Sequence, residues 1–541
     1  MGAVRLTIRS MTQHKRYITT PIYYVNDRPH IGHIYTTLLC DVYARFMRLA
    51  GRDVFFLTGT DEHGVKVEKS AAAQHVGPQA LADQNAAHFR QAFERFELSH
   101  DDFIRTTEDR HERQVQRFVQ QLLDAGAVYL GEFEGWYDEG QEEYIAETKA
   151  RELNYKSPVT GKPLIRATEE NYYFRLSEFQ NQLEQLFEQH PGFVRPEARR
   201  NEVLARVREG LQDVPMSRTN FKWGIAMPND PKHVIYVWID ALLNYVTALG
   251  LGEPDSDIAT KSAHYWPAEY HVIGKEILWF HAVIWPAMLM ALKQPLPKCV
   301  YAHAYWTAEG QKMSKSLGNF IDLPTLNDYI DRYGLDAVRY YLTLHGPLSA
   351  TDADFSAAHF HDVYTADLAN TFGNCASRTT AMINKYFDGV VPSESPNGER
   401  ITFEGYDWPA LTSQAVHKAI EAHEALALDD AINEALMLLR KVDHFIDETA
   451  PFKRAKDESK RDEVGAILYQ CVEAVRLASL LLNCVLPNRT AELWQALGLE
   501  IDPRNGELPQ LAQWGAMPVG HKIPKVALFP RIEEPIEPVT A

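Results

Sequence analysis

The sequence predicts a doubly wound α/β domain, split by an insertion and followed by an α-helical bundle, and three observations carry that prediction. Short β-branched and aromatic runs alternate with helix-period stripes at the start of the chain. The pattern loosens between residues 127 and 232 and then resumes. From residue 356 onward, apolar positions recur every three or four residues, as they do in packed helices.

Residues 1–16 form an N-terminal extension, and residues 17–126 the first half of the α/β domain. Residues 18–24 are rich in β-branched and aromatic side chains and read as a buried strand. Ile34/Tyr35, Leu38/Leu39, Val42/Tyr43 and Phe46/Met47 then recur every four residues, predicting a helix that ends at Gly51. Residues 54–57 are a second strand, while Phe89, Phe93 and Phe96, then Val115, Phe118, Val119 and Leu122, mark two helices. Residues 127–232 are acidic and aromatic, with turns at Ser157-Pro158 and Gly161-Lys162-Pro163, and are expected to be an inserted connective domain. The second half, residues 233–310, is expected to hold strands at 233–239 and 270–273 and a helix at 275–292 bent by Pro286. Residues 311–355 carry a lysine loop and a connecting module with a helix at 335–342. Residues 356–500 are the helical domain, typified by Ile432, Leu436, Leu439, Val442 and Ile446, and the Pro/Gly-rich tail 501–541 packs back as a strap.

A chain of 541 residues is too long for one core. With 45% hydrophobic and 24% charged residues, it reads as a soluble globular protein. A formal charge of −18 argues against a protein that coats the DNA backbone, while leaving room for an RNA held by a local basic stripe. Five scattered cysteines without a Cys-x-x-Cys pair read as reduced intracellular thiols. Residues 1–16 hold Arg5, Arg9, Lys15 and Arg16 but are short for a transit peptide, so a start at Met11 and a cytoplasmic protein are expected. The most apolar stretch, residues 467–486, is interrupted by Gln470, Glu473 and Arg476, which makes it a buried helix and not a membrane span.

Two motifs carry chemistry. His30-Ile31-Gly32-His33 sits where a strand turns into a helix, and the exposed N–H groups and positive dipole end there suit phosphate. Taken alone, the tetrapeptide reads equally well as a turn that happens to contain histidines. Lys312-Met313-Ser314-Lys315-Ser316 follows the apolar run 299–306, a predicted strand of the same sheet, so both motifs are expected to face one crevice at the strands' carboxyl ends. Imidazoles on one side and lysines on the other suit a triphosphate.

The pairing of these motifs resembles the class I aminoacyl-tRNA synthetases. It narrows to the methionyl-tRNA synthetases through Thr20-Pro21-Ile22-Tyr23-Tyr24, Thr58-Gly59-Thr60-Asp61-Glu62-His63-Gly64, Tyr236-Val237-Trp238-Ile239-Asp240-Ala241 and His271-Val272-Ile273-Gly274-Lys275. The resemblance runs from about residue 15 to residue 533. It implies activation of L-methionine by ATP with Mg²⁺, then transfer of the methionyl group to the terminal adenosine of tRNA(Met). His30, Gly32, His33, Lys312, Lys315 and Ser316 would bind ATP, with His30, His33, Lys312 and Lys315 the catalytic groups. The methionine site would comprise Ile22, Tyr24, Asp61, Trp238, Ala241, Leu242, Tyr245, Ile277, His281 and Trp285. Asp61 is better placed than Glu62 to pair the substrate ammonium, and an aromatic pocket suits a thioether, although each aromatic taken singly reads as ordinary core. Such a pocket rejects a near-isostere by only about 1–3 kcal/mol per methylene, so homocysteine is an expected competitor. The insertion is too small for a dedicated editing domain.

Two departures from the family pattern stand out. Where many relatives carry zinc-binding cysteine pairs, residues 136–144 are acidic and aromatic without thiols, so no zinc is expected and packing must hold the insertion. Asn374, Arg378 and Phe452 match anticodon-reading positions, but the family usually has tryptophan where Phe452 stands. Lys453, Arg454 and Lys456 either contact phosphates or form a solvated face. With no further domain after the bundle, a monomer is expected. Another nucleotidyltransferase would lack the bundle, and a silent RNA-binding relative would not need His30, His33, Lys312 and Lys315.

Overall fold

Lys15–Thr19 lies at the centre of a parallel sheet, between Asp53–Asp61 on one side and Tyr270–Gly274 on the other. The computed structural model describes residues 15–26, 28–138, 143–145, 147–251, 257–314 and 318–537. Lys315, Ser316, residues 139–142 of the acidic run and residues 1–14 lie outside the described residues. Among the described residues the sheet has seven strands. Asp102–Arg105 and Tyr23–Tyr24 pair with Asp53–Asp61, Val300–His303 pairs with Tyr270–Gly274, and Val194–Arg195 closes the far edge. Every pairing is parallel and Ile18, Phe56, Leu57, Val272 and Ile273 are fully buried, as a sheet covered on both faces requires. The strand order reverses between Lys15–Thr19 and Tyr270–Gly274, which opens a crevice at their carboxyl ends.

The doubly wound α/β reading stands, with local corrections. The strand expected at 18–24 is two pieces, because Pro21 has no N–H to give the ladder and the chain regains the sheet only at Tyr23–Tyr24. The run expected as a strand at 233–239 is a strand only through Ile235. Asp230–Ile235 belongs to a small antiparallel sheet, and Val237–Thr247 is a helix. A short apolar run buried on all sides carries no period to tell strand from helix. The helix expected at 275–292 takes its irregularity as a π-turn at Phe280–Ile284, directly before the segment Trp285–Ala291 that holds Pro286.

Val128–Asp138 pairs with Ile165–Phe174 and Glu143–Ile145 in the insertion. Ile145, Ala150 and Leu164 form a miniature core against Trp136, Leu153 and Tyr155. The Trp136 indole and the Tyr155 hydroxyl both donate to Glu147, at 2.6 and 3.0 Å.

Among the helices of the C-terminal region, Asn374–Phe387, Trp408–Glu424, Leu428–Thr449 and Arg461–Leu482 pack into the bundle. The last is apolar enough to cross a membrane by composition, yet its apolar window is wholly buried in protein. Its Glu473 and Arg476 meet at 2.7 Å inside the core and hold the tail. Glu473 accepts the N–H groups of Gly515, Ala516 and Met517, while Arg476 donates to the carbonyls of Leu511 and Gln513. The polar residues that interrupt the apolar stretch are therefore the clasp of the strap.

Candidate active site

Helix Ile31–Leu49 begins at the carboxyl end of the central strand, and His30 is its N-cap. The cap is a box made of imidazoles. His30 Nδ1 accepts the Gly32 N–H and His33 Nδ1 accepts the His30 N–H, each at 3.1 Å. With both Nδ1 atoms accepting, each neutral ring carries its proton on Nε2. Burial, and then the neighbouring His30, hold His33 well below the usual histidine range, so it stays neutral. The rings lie 3.9 Å apart and border a cavity of about 830 Å³.

Lys312 and Met313 border the same cavity. Ile31 N–H donates to the Ile321 carbonyl at 3.2 Å, His30 and Asp322 form a β-bridge, and the Phe320 ring sits 5.0 Å from His30. The end of the lysine loop is thus stitched to the first turn of the histidine helix. Asn319 closes the loop from inside: its carbonyl accepts Ser314 N–H at 2.9 Å and its amide donates to the Lys312 carbonyl at 3.2 Å. The sequence reading missed Asn319, and a lone amide in a loop gave no signal.

Of the residues matched to a methionine pocket, Ile22, Tyr24, Asp61, Trp238, Ala241, Leu242, Tyr245, Ile277 and His281 line this cavity. Trp285 does not line it. It is fully buried behind Tyr245, with its indole N–H donated to His271 Nε2 at 3.3 Å. His271 therefore donates from Nδ1 to Thr19 Oγ1, at 2.7 Å, across the switch point. His281 is fixed by the same logic. The Ile277 carbonyl takes its Nδ1–H at 3.0 Å, so Nε2 accepts the Tyr245 hydroxyl at 2.7 Å, and burial pushes the imidazole down to about 4. Glu62 is excluded from substrate duty. It is buried and accepts from Thr60, Thr107 and the Nε and Nη2 groups of Arg105, while Asp61 opens on the cavity.

Two further residues of the crevice escaped the sequence reading. His303 ends its strand on the cavity wall, held by Thr36 at 2.8 Å and lowered to about 4 by burial. Glu276 faces the cavity just past Tyr270–Gly274, its carboxylate folded over Gly274 so closely that a Cβ there would strike it at 2.3 Å. Both stand at carboxyl ends of central strands, the position that identifies them.

In the bundle, Asn374 and Arg378 lie on one helix, Asn374 exposed and Arg378 held by Asp447 at 2.6 Å and Asp443 at 3.6 Å. Phe452 is exposed just past the helix that carries both acids. Arg454, for which phosphate contact and a solvated face were both open, donates to Glu463 and the Thr449 carbonyl.

The model of the family "tRNA synthetases class I (M)" matches residues 16–159 and 150–380. A methionine–tRNA ligase of Halalkalibacterium halodurans is 43% identical over 535 residues, 97% of this chain and 79% of that protein. One of Listeria monocytogenes is 42% identical over 533 residues, 96% of this chain and 78% of its own. The Mycobacterium tuberculosis methionyl-tRNA synthetase solved with methionyl-adenylate superposes with a TM-score of 0.86 at 35% identity, covering 96% of this chain and all of that one. With one crevice holding the imidazole pair, Lys312 and an aromatic slot, the chain belongs to the methionine–tRNA ligase family of class I aminoacyl-tRNA synthetases.

Proposed function

We propose that this chain joins L-methionine to tRNA(Met) in two steps within this crevice. The observation that supports the reading is a single cavity bordered both by His30, His33 and Lys312 and by Asp61, Trp238 and Tyr245. In the first step a carboxylate oxygen of methionine attacks the α-phosphorus of ATP, the Pα–O bond to the β-phosphate breaks, and pyrophosphate leaves. The nucleophile is already ionised, so catalysis is positioning and charge stabilisation. The Nε2–H groups of His30 and His33 donate to phosphate oxygens where charge accumulates. Lys312 and Lys315 act on the departing pyrophosphate, with Gly32 leaving room for the phosphates and Ser316 among the ATP-binding residues. Mg²⁺, arriving with ATP, would supply further positive charge beside Lys312 and Lys315 for the departing pyrophosphate. Among the described residues no group of three or more acidic, histidine or cysteine side chains is placed to hold a metal.

Asp61 pairs the ammonium group, and Ile22, Tyr24, Ala241, Leu242 and Ile277, with Trp238, Tyr245 and His281, enclose the thioether. Trp285 supports Tyr245 from behind. In the second step a hydroxyl of the terminal adenosine of tRNA attacks the methionyl carbonyl and AMP leaves. Asn374, Arg378 and Phe452 meet the anticodon, Arg378 exchanging Asp447 for a base. The protein acts in the cytoplasm as a monomer, with neither DNA nor membrane as a partner.

Methionine-dependent ATP–pyrophosphate exchange, compared with leucine, isoleucine, valine and cysteine, tests the reading. Preference for methionine is expected. Faster exchange with any of the others at equal concentration overturns the substrate assignment.

A further inference from the structure

We infer that Asp240 is a positioning residue for the amino-acid subsite: its carboxylate, shared between His63 and His111, fixes the wall that receives the side chain relative to Asp61, which receives the ammonium. The inference rests on the pocket assignment above. Helix Val237–Thr247 presents Trp238, Ala241, Leu242 and Tyr245 to the cavity, at the spacing of one helix face. Asp240 lies on the face turned away, 1% exposed.

Each of its oxygens has one partner. Oδ2 accepts from His63 Nδ1 at 2.7 Å and Oδ1 from His111 Nε2 at 2.6 Å. Both imidazoles are buried. His111 also reaches Thr247 Oγ1 through Nδ1 at 2.7 Å, so one ring grips positions 240 and 247 of the same helix. Gln114 donates to the Thr247 carbonyl from the same side at 3.1 Å. His63 stands two residues after Asp61, and the turn that follows it is tight: Gly64 has φ +105°, and a Cβ there would strike the Tyr24 hydroxyl at 2.7 Å. One carboxylate thus binds three segments: the Asp61 loop, the pocket helix and the helix Asp109–Asp124.

The pairing is ionic at His63. Burial alone would lower that imidazole, but the adjacent Asp240 outweighs it, helped by Glu112 and Asp61, and lifts it to about 10. Asp240 touches no substrate atom in this arrangement. Its effect is to keep the two halves of the subsite in register, where a displacement of about 1 Å can cost roughly 10²-fold in rate. A carboxylate is required because both imidazoles donate to it. An amide of the same volume offers one acceptor and turns an N–H toward the other ring.

Asp240→Asn, His111→Leu and His111→Gln are assayed by ATP–pyrophosphate exchange, each checked for folding by circular dichroism. A glutamine at 111 retains a donor for Asp240 and an acceptor for Thr247. The expected result is a methionine KM raised at least tenfold in Asp240→Asn and His111→Leu, an ATP KM within twofold of the parent, and recovery in His111→Gln. Equal changes in both KM values, a fall in kcat alone, His111→Gln as impaired as His111→Leu, or failure of both Asp240→Asn and His111→Leu to fold each overturns the inference. Asp61→Asn separates the two readings. If its methionine KM is unchanged, the pocket assignment is wrong. If it rises while that of Asp240→Asn does not, the positioning role alone fails.

Discussion

Asp41 and Arg339 meet at 2.6 Å with neither side chain exposed, and through them the helix that begins at His30 is tied to the helical domain. Arg339 also donates to the carbonyls of Phe96 and Cys484, each at 3.0 Å, while Asp41 takes Arg45 at 2.8 Å and the Ser99 N–H at 2.6 Å. A guanidinium shared between a catalytic-domain carboxylate and a bundle carbonyl makes a joint that can neither slide nor admit water without leaving a buried charge unmatched.

Asp41→Asn removes one partner of that buried pair and is expected to cost about 3–5 kcal/mol, measured by urea unfolding at neutral pH. The pH dependence follows from the same contacts. Burial would raise the Asp41 carboxyl, but Arg339 and Arg45 outweigh it and hold it at about 2. The unfolded chain therefore binds this proton at a higher pH than the folded one. The contribution is fully present above the ordinary carboxylate range and is lost as pH falls through about 2. Asp41→Asn is expected to flatten that acid limb.

A second contact across the same interface has its own pH signature. The His423 ring lies on Phe46 with centroids 3.6 Å apart and planes 1° from parallel. Burial pushes it from the ordinary 6.5 down to about 3, against the opposing pull of the Ala419 carbonyl. Between those values the unfolded chain takes up a proton that the folded chain refuses, so stability rises with pH. Unfolding at pH 4, 5 and 6, below the ordinary 6.5 and above the folded value, is expected to show His423→Leu with a slope shallower than the parent by about 1.3 kcal/mol per pH unit. His281 and His303, both lowered to about 4, contribute in the same direction and remain in both proteins.

The cap box at the histidine helix predicts a separation between stability and catalysis. His30→Ala loses both the cap and the Nε2–H, whereas His30→Asn keeps a side-chain acceptor for Gly32 and loses only the donor. Thermal unfolding is expected to place His30→Ala about 1 kcal/mol below the parent, with His30→Asn close to it. In pyrophosphate exchange both are expected to fall by roughly 10²–10³-fold.

What the sequence disclosed and what it withheld divide along physical lines. His30, His33 and Lys312 stand out by residue type in a turn and a loop, whereas the pocket positions are reached only through the resemblance to the methionyl-tRNA synthetases, since each aromatic taken singly reads as core. The helix Ile31–Leu49 was legible from its four-residue period. Val237–Thr247 was not, because nearly every side chain in it is buried, and an all-apolar face erases the difference between a helix and a strand. Arg339 and the His63–Asp240–His111 cluster stayed hidden for another reason. Their partners lie far away in the chain, and only the fold decides which buried charge meets which. Trp285 shows the converse limit: a residue read as touching substrate stands one layer behind the wall.

The lysine loop yields the last prediction, through Asn319. Its side chain is 5% exposed and spans the loop by accepting from Ser314 and donating to Lys312, so it fixes where the Lys312 backbone leaves the strand. Asn319→Ala is expected to lower kcat for adenylate formation by about tenfold while methionine KM stays within twofold, because its side-chain bonds go to the lysine loop and to none of the pocket residues. If Asn319 acts through Lys312, the two substitutions must not add. Asn319→Ala placed on Lys312→Ala is then expected to change kcat by less than twofold, whereas independent sites would multiply their effects. Pyrophosphate exchange on the two single variants and the double variant closes that cycle, and a multiplicative double variant would mean that Asn319 acts on the reaction by a route other than the lysine.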